Sequence, residues 1–229
     1  MRHHRFYVGS KDRELRHDLW INDKRLLRQW LKVLRYREGD EVVLFDGVKH
    51  ERLYRITQIN PDAAHLAHIT DLEPQRPVRK VHVFWSSLKK DKNDWVVQKC
   101  TELGVSNFTP IISGRTENKR VDTDRLKTIA IEAAEQCGRI DIPHIHEPMD
   151  VQQAVSSHSE STKLYFANMD GSEDSLREAT DAGIFIGPEG GWNDEEIAHF
   201  VEQGMSGIKL GDMTLRAETA AIIASSKLL

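Results

Sequence analysis

The chain has 229 residues, enough for one large domain or two modest ones, and its 39% hydrophobic and 30% charged residues are typical of a globular protein with a real core. No apolar run approaches the roughly 20 residues of a membrane span, and residues 1–10 are not followed by the apolar segment of a signal peptide. The two cysteines, Cys100 and Cys137, argue against a disulfide framework and a zinc site. These features predict a cytoplasmic protein with reduced thiols.

The net charge of −4 is distributed unevenly along the chain. Residues 1–60 carry 14 Lys/Arg and 9 Asp/Glu, whereas residues 61–229 carry 18 and 27. The first 60 residues are basic and the rest of the chain is acidic, which is the pattern expected if the first part binds nucleic acid and the second part has another role. An ordinary solvated surface would show the same pattern, so charge alone leaves both interpretations open.

The first part of the chain reads as one helix followed by closely spaced strands. Apolar residues at helical spacing predict a helix over residues 23–34. Three β-like runs follow, separated by turn-forming residues, at Glu41–Phe45, Glu51–Ile59 and Ala64–Thr70. This arrangement predicts a small β-barrel module.

Pro74 and Pro77 mark a boundary, and the sequence predicts two domains, residues 1–72 and 73–229. Beyond the boundary strands and helices alternate, which predicts a mostly parallel sheet covered by helices on both faces. The predicted strands are residues 81–85, 107–112, 163–167, 183–186 and 208–210. The predicted helices are residues 95–103, 125–137, 193–203 and 217–228. Asn93 or Asp94 is the predicted N-cap of the first helix, and Asn193 and Glu196 form a predicted capping box at the start of the third.

A glycine-rich turn follows one of these strands, in the segment Ile184–Asn193, IFIGPEGGWN. Ligands of open α/β sheets bind at the carboxyl ends of strands, and glycine lets the backbone approach a ligand closely. A tight strand-to-helix turn also uses glycine, but three glycines and a proline within five residues exceed what such a turn needs. The segment matches neither a P-loop nor the GxGxxG fingerprint, so neither ATP nor NAD is favoured.

A second strand also ends in a glycine loop that leads into a helix, in the segment Lys209–Ala220, KLGDMTLRAETA. Alone, Arg216, Glu218 and Thr219 at the helix start would indicate a surface ion pair and a cap. Two similar loops in one sheet favour a shared pocket.

These two segments carry a family resemblance. GPEGG followed by LGxxxLRxETA resembles the RsmE family of SPOUT methyltransferases. Four further matches occur in the family's order. Two lie in the second part of the chain: Ser87–Lys89 with Gln98–Val105 resembles LxK…QKxTELGV, and Glu132–Arg139 resembles EAAEQxxR. The other two, Arg2–Phe6 and Val33–Asp40, resemble parts of the family's N-terminal PUA-like module. The resemblance therefore spans nearly the whole chain. It departs at Met213-Thr214, where the family has a basic residue and an isoleucine, which puts a role for the side chain at 213 in doubt.

The resemblance implies an α/β fold of SPOUT type, a mostly parallel sheet covered by helices and tied into a trefoil knot, beside a small PUA-like β-barrel domain. It implies that the knot loops bind S-adenosyl-L-methionine (SAM), and that two copies form a homodimer with the pocket at the interface. The implied activity is methylation of a uridine N3 in 16S ribosomal RNA of the small subunit.

Such a reaction sets requirements for the site. A uracil N3 is a poor nucleophile until its proton is lost, so the enzyme needs a SAM cradle, a base or proton path, and a donor for the charge on O2 and O4. Arg216 is the candidate donor, or a residue that holds a phosphate, and the alternative is a structural pair with Glu218. Glu189 is the candidate base, and the alternative is a carboxylate that orders the loop. The predicted cradle residues are Gly187, Glu189, Gly190, Gly191, Leu210, Gly211, Leu215 and Thr219.

Candidate RNA contacts lie in both parts of the chain, although any of them could be an ordinary surface residue. They are Arg2, Arg5, Arg25, Arg35, Lys89, Gln136 and Arg139. None of the eleven histidines shows metal-ligand spacing, and methyl transfer from SAM needs no metal. Two alternatives remain: a SPOUT methyltransferase acting on transfer RNA or another ribosomal RNA site, and a non-catalytic RNA-binding assembly factor. The intact glycine segments argue against the second.

Overall fold

The computed structural model describes residues 3–9, 14–158, 162–172 and 180–229. The chain divides into two compact units. One comprises Met1–Arg76 with Ala134–Ile142, and the other Pro77–Ala133 with Pro143–Leu229. The short segment 134–142 thus belongs to the first unit, although it is far from residues 1–76 in the sequence.

The first unit contains a five-stranded sheet. Its strands are β1 (Arg5–Tyr7), β2 (Asp18–Ile21), β3 (Glu41–Phe45), β4 (Glu51–Ile59) and β5 (Ala64–Leu72), in the order β1-β3-β4-β5-β2. The pairs are antiparallel except for β1 with β3, which is parallel. The short strands β1 and β2 were not predicted, because three or four residues are too few to show an alternating pattern.

The predicted helix over residues 23–34 is two segments. An α-helix, α1 (Lys24–Arg28), begins after Asp23, whose carboxylate accepts the N–H groups of Arg25 and Leu26. It continues as a π-helix over Gln29–Leu34, which ends at Arg35 in the left-handed conformation, φ 57°.

One core serves the whole sheet of the first unit. Every strand and the helical segment contribute side chains to it, so the sheet curls around a common interior, as a small barrel-like module requires. Its largest fully buried side chains are Trp30, Tyr54, Ile21, Leu26, Leu27 and Leu44.

The second unit is an α/β sandwich. Its strands are β6 (Lys80–Ser86), β7 (Asn107–Ile112), β8 (His144–Ile145), β9 (Met149–Asp150), β10 (Lys163–Ser172), β11 (Asp181–Ile186) and β12 (Ser206–Ile208). Its helices are α2 (Lys90–Leu103), α3 (Thr123–Cys137), α4 (Val151–Ser156), α5 (Asp194–Glu202) and α6 (Ala217–Leu228). The end of α3 belongs to the first unit.

The seven strands form one parallel sheet in the order β12-β10-β11-β6-β7-β8, with β9 also on β7. Successive strand residues point to opposite faces and into two separate cores. Val83 and Ile184 face a core with α2, α3 and α6, whereas Phe84 and Phe185 face a core with α4 and α5. The predicted parallel sheet with helices on both faces is confirmed.

Helix α2 differs from its prediction at its start. It begins at Lys90 after Lys89, and neither Asn93 nor Asp94 is the N-cap. Asn93 is buried instead: its amide oxygen accepts Trp85 Nε1–H at 2.8 Å and the Leu88 N–H at 3.0 Å, and its Nδ2 donates to the Leu88 carbonyl at 2.9 Å. The residue is of a cap-forming type, but its hydrogen bonds tie the helix to the strand before it.

Other differences are smaller. Helix α4 and the two-residue strands β8 and β9 were not predicted, and β12 ends at Ile208 rather than beginning there. The predicted capping box of α5 is present, and α6 has its predicted bounds. Within the described residues, no helix is both long and apolar enough to cross a membrane, and no cluster of three or more His, Cys, Asp or Glu side chains is arranged to hold a metal ion.

Candidate functional site

A cavity of about 280 Å³ opens at the carboxyl ends of β11 and β12, beside residues 167–169 of β10, the strand between them. This edge is where open α/β sheets bind ligands, and the mixture of apolar side chains with exposed backbone is typical of a small-molecule site. Both loop segments predicted to share a pocket line it. The lining residues are Ala167–Met169, Ile186–Glu189, Gly191, Trp192, Ile197, Ile208, Leu210, Gly211, Met213–Leu215, Ala217 and Ala220.

The loop after β11 is held in one conformation by local bonds. Gly191 has φ 69°, a value that side chains rarely tolerate, and its N–H donates to the Pro188 carbonyl at 2.9 Å. The indole of Trp192 donates to the Ala167 carbonyl at 3.2 Å, so the loop is joined to the end of β10. A Cβ on Gly187 would lie 3.2 Å from that indole. Glycine at 187 and 191 therefore allows a tight loop over the cavity.

Arg115, in the loop after β7, holds the same loop from outside the cavity. Its Nη1 donates to the Gly190 carbonyl at 2.7 Å and to the Trp192 carbonyl at 3.1 Å. Gly190 does not line the cavity, and a Cβ there would meet Arg115 rather than open space. Beside it, Glu196 completes the α5 capping box and also accepts the N–H of Gly114 at 2.8 Å.

The loop after β12 forms the opposite wall. Leu210, Gly211 and Leu215 line the cavity as predicted, and a Cβ on Gly211 would meet nothing within 4 Å. Thr219 is exposed and does not line the cavity, because Ala217 and Ala220 present the cavity-facing side of α6.

Charged side chains gather beside the cavity. Lys92 Nζ donates to Glu189 Oε1 at 2.9 Å and lies 3.7 Å from Glu218 Oε2. The hydrogen bond from Lys92 holds the pKa of Glu189 below its usual range, which makes Glu189 a weaker base than an isolated carboxylate. Arg216 is exposed, and its guanidinium makes no hydrogen bond or ion pair with the described residues, so the alternative of a pair with Glu218 is not present.

Comparison with known proteins identifies the family. A family model described as an RNA methyltransferase domain matches residues 74–229, and one described as an RNA methyltransferase PUA domain matches residues 31–67. The ribosomal RNA small subunit methyltransferase E of Aquifex aeolicus is 30% identical over 81% of this chain and 93% of its own. That of Rickettsia conorii is 27% identical over 98% and 94%.

The chain belongs to the ribosomal RNA small subunit methyltransferase E family. A crystal structure of the family member from Neisseria gonorrhoeae, bound to SAM, superposes with a TM-score of 0.89 at 25% identity and covers 98% of this chain and 95% of that one. The predicted family and its SPOUT-type fold with a PUA-like module are confirmed.

In this family member, two of the predicted RNA contacts have structural roles instead. Arg5 is nearly buried: its Nε donates to Glu51 at 2.7 Å, and Nη1 donates to the Ala134 carbonyl at 3.0 Å. Arg139 is 5% exposed and paired with Asp141. A guanidinium occupied in this way has no face left for a phosphate, so the prediction for Arg5 and Arg139 is corrected.

The other predicted contacts lie at the surface. Arg25, Arg35, Lys89 and Gln136 are exposed, and their contact with RNA stays a prediction. Arg2 lies outside the described residues.

Sequence reasoning missed several residues of the cavity and its surroundings. Ala167–Met169 line it because β10 continues past the last residue that pairs with β11, Phe166. The order of the strands would have to be known to find them, because no local pattern marks these residues. Nothing in the local sequence indicates Lys92 or Arg115, since their partners are about 97 and 75 residues away.

Proposed function

We propose that this chain transfers a methyl group from SAM to N3 of a uridine in 16S ribosomal RNA of the small ribosomal subunit. The observation that carries the proposal is the cavity beside β10 and at the ends of β11 and β12, because both loop segments of the family pattern line it. The relatives named above are ribosomal RNA small subunit methyltransferases, and the Neisseria relative binds SAM.

The residues of the cavity fit SAM. Glycine at 187, 191 and 211 leaves backbone accessible, and the apolar walls from Ile186, Leu210 and Leu215 suit the flat face of an adenine. Bound SAM supplies a methyl group on a positively charged sulfur, which is already activated toward a nucleophile. The bond from carbon to sulfur breaks as the bond from carbon to N3 forms, and the N3 proton is released.

The chain's own residues would orient the base and remove that proton. Arg216 is an exposed guanidinium one residue from the cavity-lining Ala217, so it can approach the O2 or O4 of a uracil anion, or a neighbouring phosphate. Glu189 lines the cavity as a carboxylate. Its bond to Lys92 favours a role in ordering the loop over a role as the base.

The proposal also covers the roles of the two domains, the cellular compartment and the oligomeric state. Residues 1–72 would form the RNA-binding domain and residues 73–229 the methyltransferase domain, acting in the cytoplasm. Met169 and Met213 at the cavity are 46% and 76% exposed, and exposed apolar side chains at a site favour a second protein surface there, as in a homodimer.

Two measurements test the proposal. Calorimetry should detect SAM binding to the isolated protein, and mass spectrometry should detect 3-methyluridine in small subunits incubated with protein and SAM. Modification of transfer RNA or of another ribosomal RNA site would reassign the substrate. SAM binding without methylation of any RNA would favour the non-catalytic alternative, and absence of SAM binding would overturn the proposal.

A further inference from the structure

One lysine connects three segments beside the cavity. Lys92 lies in the first turn of α2, and its ammonium faces Glu189 in the loop after β11 and Glu218 in the first turn of α6. The two distances, 2.9 Å and 3.7 Å, show that the hydrogen bond goes to Glu189. Lys92 does not line the cavity itself, but Glu189, to which it donates, does.

The two carboxylates that face Lys92 have different surroundings. The Glu189 side chain is 49% exposed, whereas that of Glu218 is 9% exposed. Glu218 Oε2 is buried, and no described residue donates a hydrogen bond to it, so its charge depends on the nearby ammonium. Among the described residues, removing that ammonium would leave Glu218 without a cation within ion-pair distance.

Lys92 adds a third contact that holds the glycine-rich loop after β11. Arg115 holds the backbone at Gly190 and Trp192, and the Trp192 indole holds the far end of the loop against β10. Within the described residues, Lys92 is the one residue other than Glu189 itself that hydrogen-bonds the Glu189 carboxylate, which lines the cavity.

We propose that Lys92 is a positioning residue of the SAM site: it fixes Glu189, and with it the cavity-facing side of the loop, in the conformation that receives SAM. The inference rests on the proposed function. A loop already held in its bound conformation loses less conformational freedom when the ligand binds, so the effect of Lys92 is on SAM affinity.

The test compares two lysine variants by calorimetry with SAM alone. Lys92→Met should weaken SAM binding about three- to fivefold, the upper part of the range expected for a partly exposed ion pair. Lys127→Met is the matched control, because Lys127 also pairs with a carboxylate on a helix, Asp124 at 3.0 Å, but contacts no part of the cavity. It should bind SAM as wild type does.

Two further variants separate positioning from a general effect on stability. Lys92→Arg keeps the charge and should restore most of the affinity. In a Glu189→Ala background, Lys92→Met should change SAM affinity by less than about twofold, because the residue through which Lys92 acts is gone. If Lys92→Met does not fold, Lys92→Gln, which also removes the ammonium but keeps a polar end, should still lower SAM affinity.

The outcomes are distinct. Wild-type affinity in Lys92→Met, or in Lys92→Gln where that variant replaces it, would overturn the inference and leave the proposed function intact. An equal loss in the Glu189→Ala background would also overturn it, because Lys92 would then act by another route. Failure of the wild-type protein to bind SAM would overturn the proposed function and the inference together.

Discussion

Glycine residues near the cavity meet different surroundings, and the difference predicts different effects of substitution. Gly211 lines the cavity with open space where a Cβ would stand. Gly204, between α5 and β12, has φ 70° and does not line the cavity. The first position leaves room for a ligand, and the second satisfies a backbone conformation.

We therefore expect Gly211→Leu to weaken SAM binding at least about tenfold, since the side chain occupies space that the ligand needs, while the free energy of unfolding stays within about 0.5 kcal/mol of wild type. Gly204→Ala should do the reverse and lose about 1 kcal/mol of stability with normal SAM affinity. Calorimetry and urea unfolding measure both. Normal SAM affinity in Gly211→Leu would place the SAM site elsewhere.

Two arginines of the first unit differ in burial, and we expect their replacement to have different effects. Glu51 is 6% exposed and is paired with Arg5, so Arg5→Met should cost about 3–5 kcal/mol of stability by leaving that carboxylate buried without its partner. Arg25→Met should leave stability unchanged, because Arg25 is exposed, and should weaken RNA binding while reducing its salt slope by about 1. Unfolding curves and binding at two salt concentrations check both, and a stable Arg5→Met variant would contradict the structural role.

At the scale of elements, the start of α2 offers a direct comparison between neighbouring residues. Asn93→Leu should cost about 2–4 kcal/mol, because Trp85 Nε1–H and the Leu88 N–H would both lose their acceptor in a buried position. Asp94→Ala removes only an exposed ion pair with Arg125 and should cost about 1 kcal/mol or less. Were Asp94 the N-cap after all, urea unfolding would show the two losses to be similar.

The elements that sequence predicts well are those whose signals are local. The capping box Asn193–Glu196 and the apolar stripe of α6 lie within a few residues, and both are found as predicted. Strand β1 is three residues long and is defined by its pairing with β3, 38 residues away, so no local pattern reveals it. Arg5 was misread for the same reason: its charge is visible in the sequence, but its partners Glu51 and Ala134 are not.

The walls of the cavity also differ in whether a local sequence signal marks them. Its two loop walls were predictable because three glycines and a proline mark the first in the sequence, and Gly211 after a short strand marks the second. The third wall, Ala167–Met169, consists of ordinary strand residues, and its place depends on the order of strands in the sheet.

At the scale of the whole molecule, buried histidines make stability depend on pH. Burial lowers the pKa of His82 to about 2, with smaller effects from His158, His146 and His144, and burial lowers the pKa of His146 to about 4. In the unfolded chain both titrate near 6.5, so between those values the unfolded state binds more protons. The stability they contribute is present above about pH 6.5 and is lost as the pH falls toward 4.

We expect the free energy of unfolding to fall by about 1.4 kcal/mol per histidine for each pH unit below about 6. Urea unfolding between pH 7 and pH 4.5 measures this slope. A His82→Gln, His146→Gln double variant should show a flatter slope than wild type. An equal slope in the two proteins would assign the acid sensitivity to carboxylates instead.

The segment Ala134–Ile142, which belongs to the first unit, limits how that unit can be separated from the rest. The carbonyl of Ala134 accepts from Arg5, the side chain of Glu135 accepts the N–H of Tyr7 at 2.9 Å, and the Ile140 N–H donates to the Gln75 carbonyl. A gene fragment that ends at residue 76 would encode every strand of the sheet yet omit these partners. The first unit therefore cannot be exchanged by recombination at a single breakpoint, because a functional swap has to include the end of α3 as well.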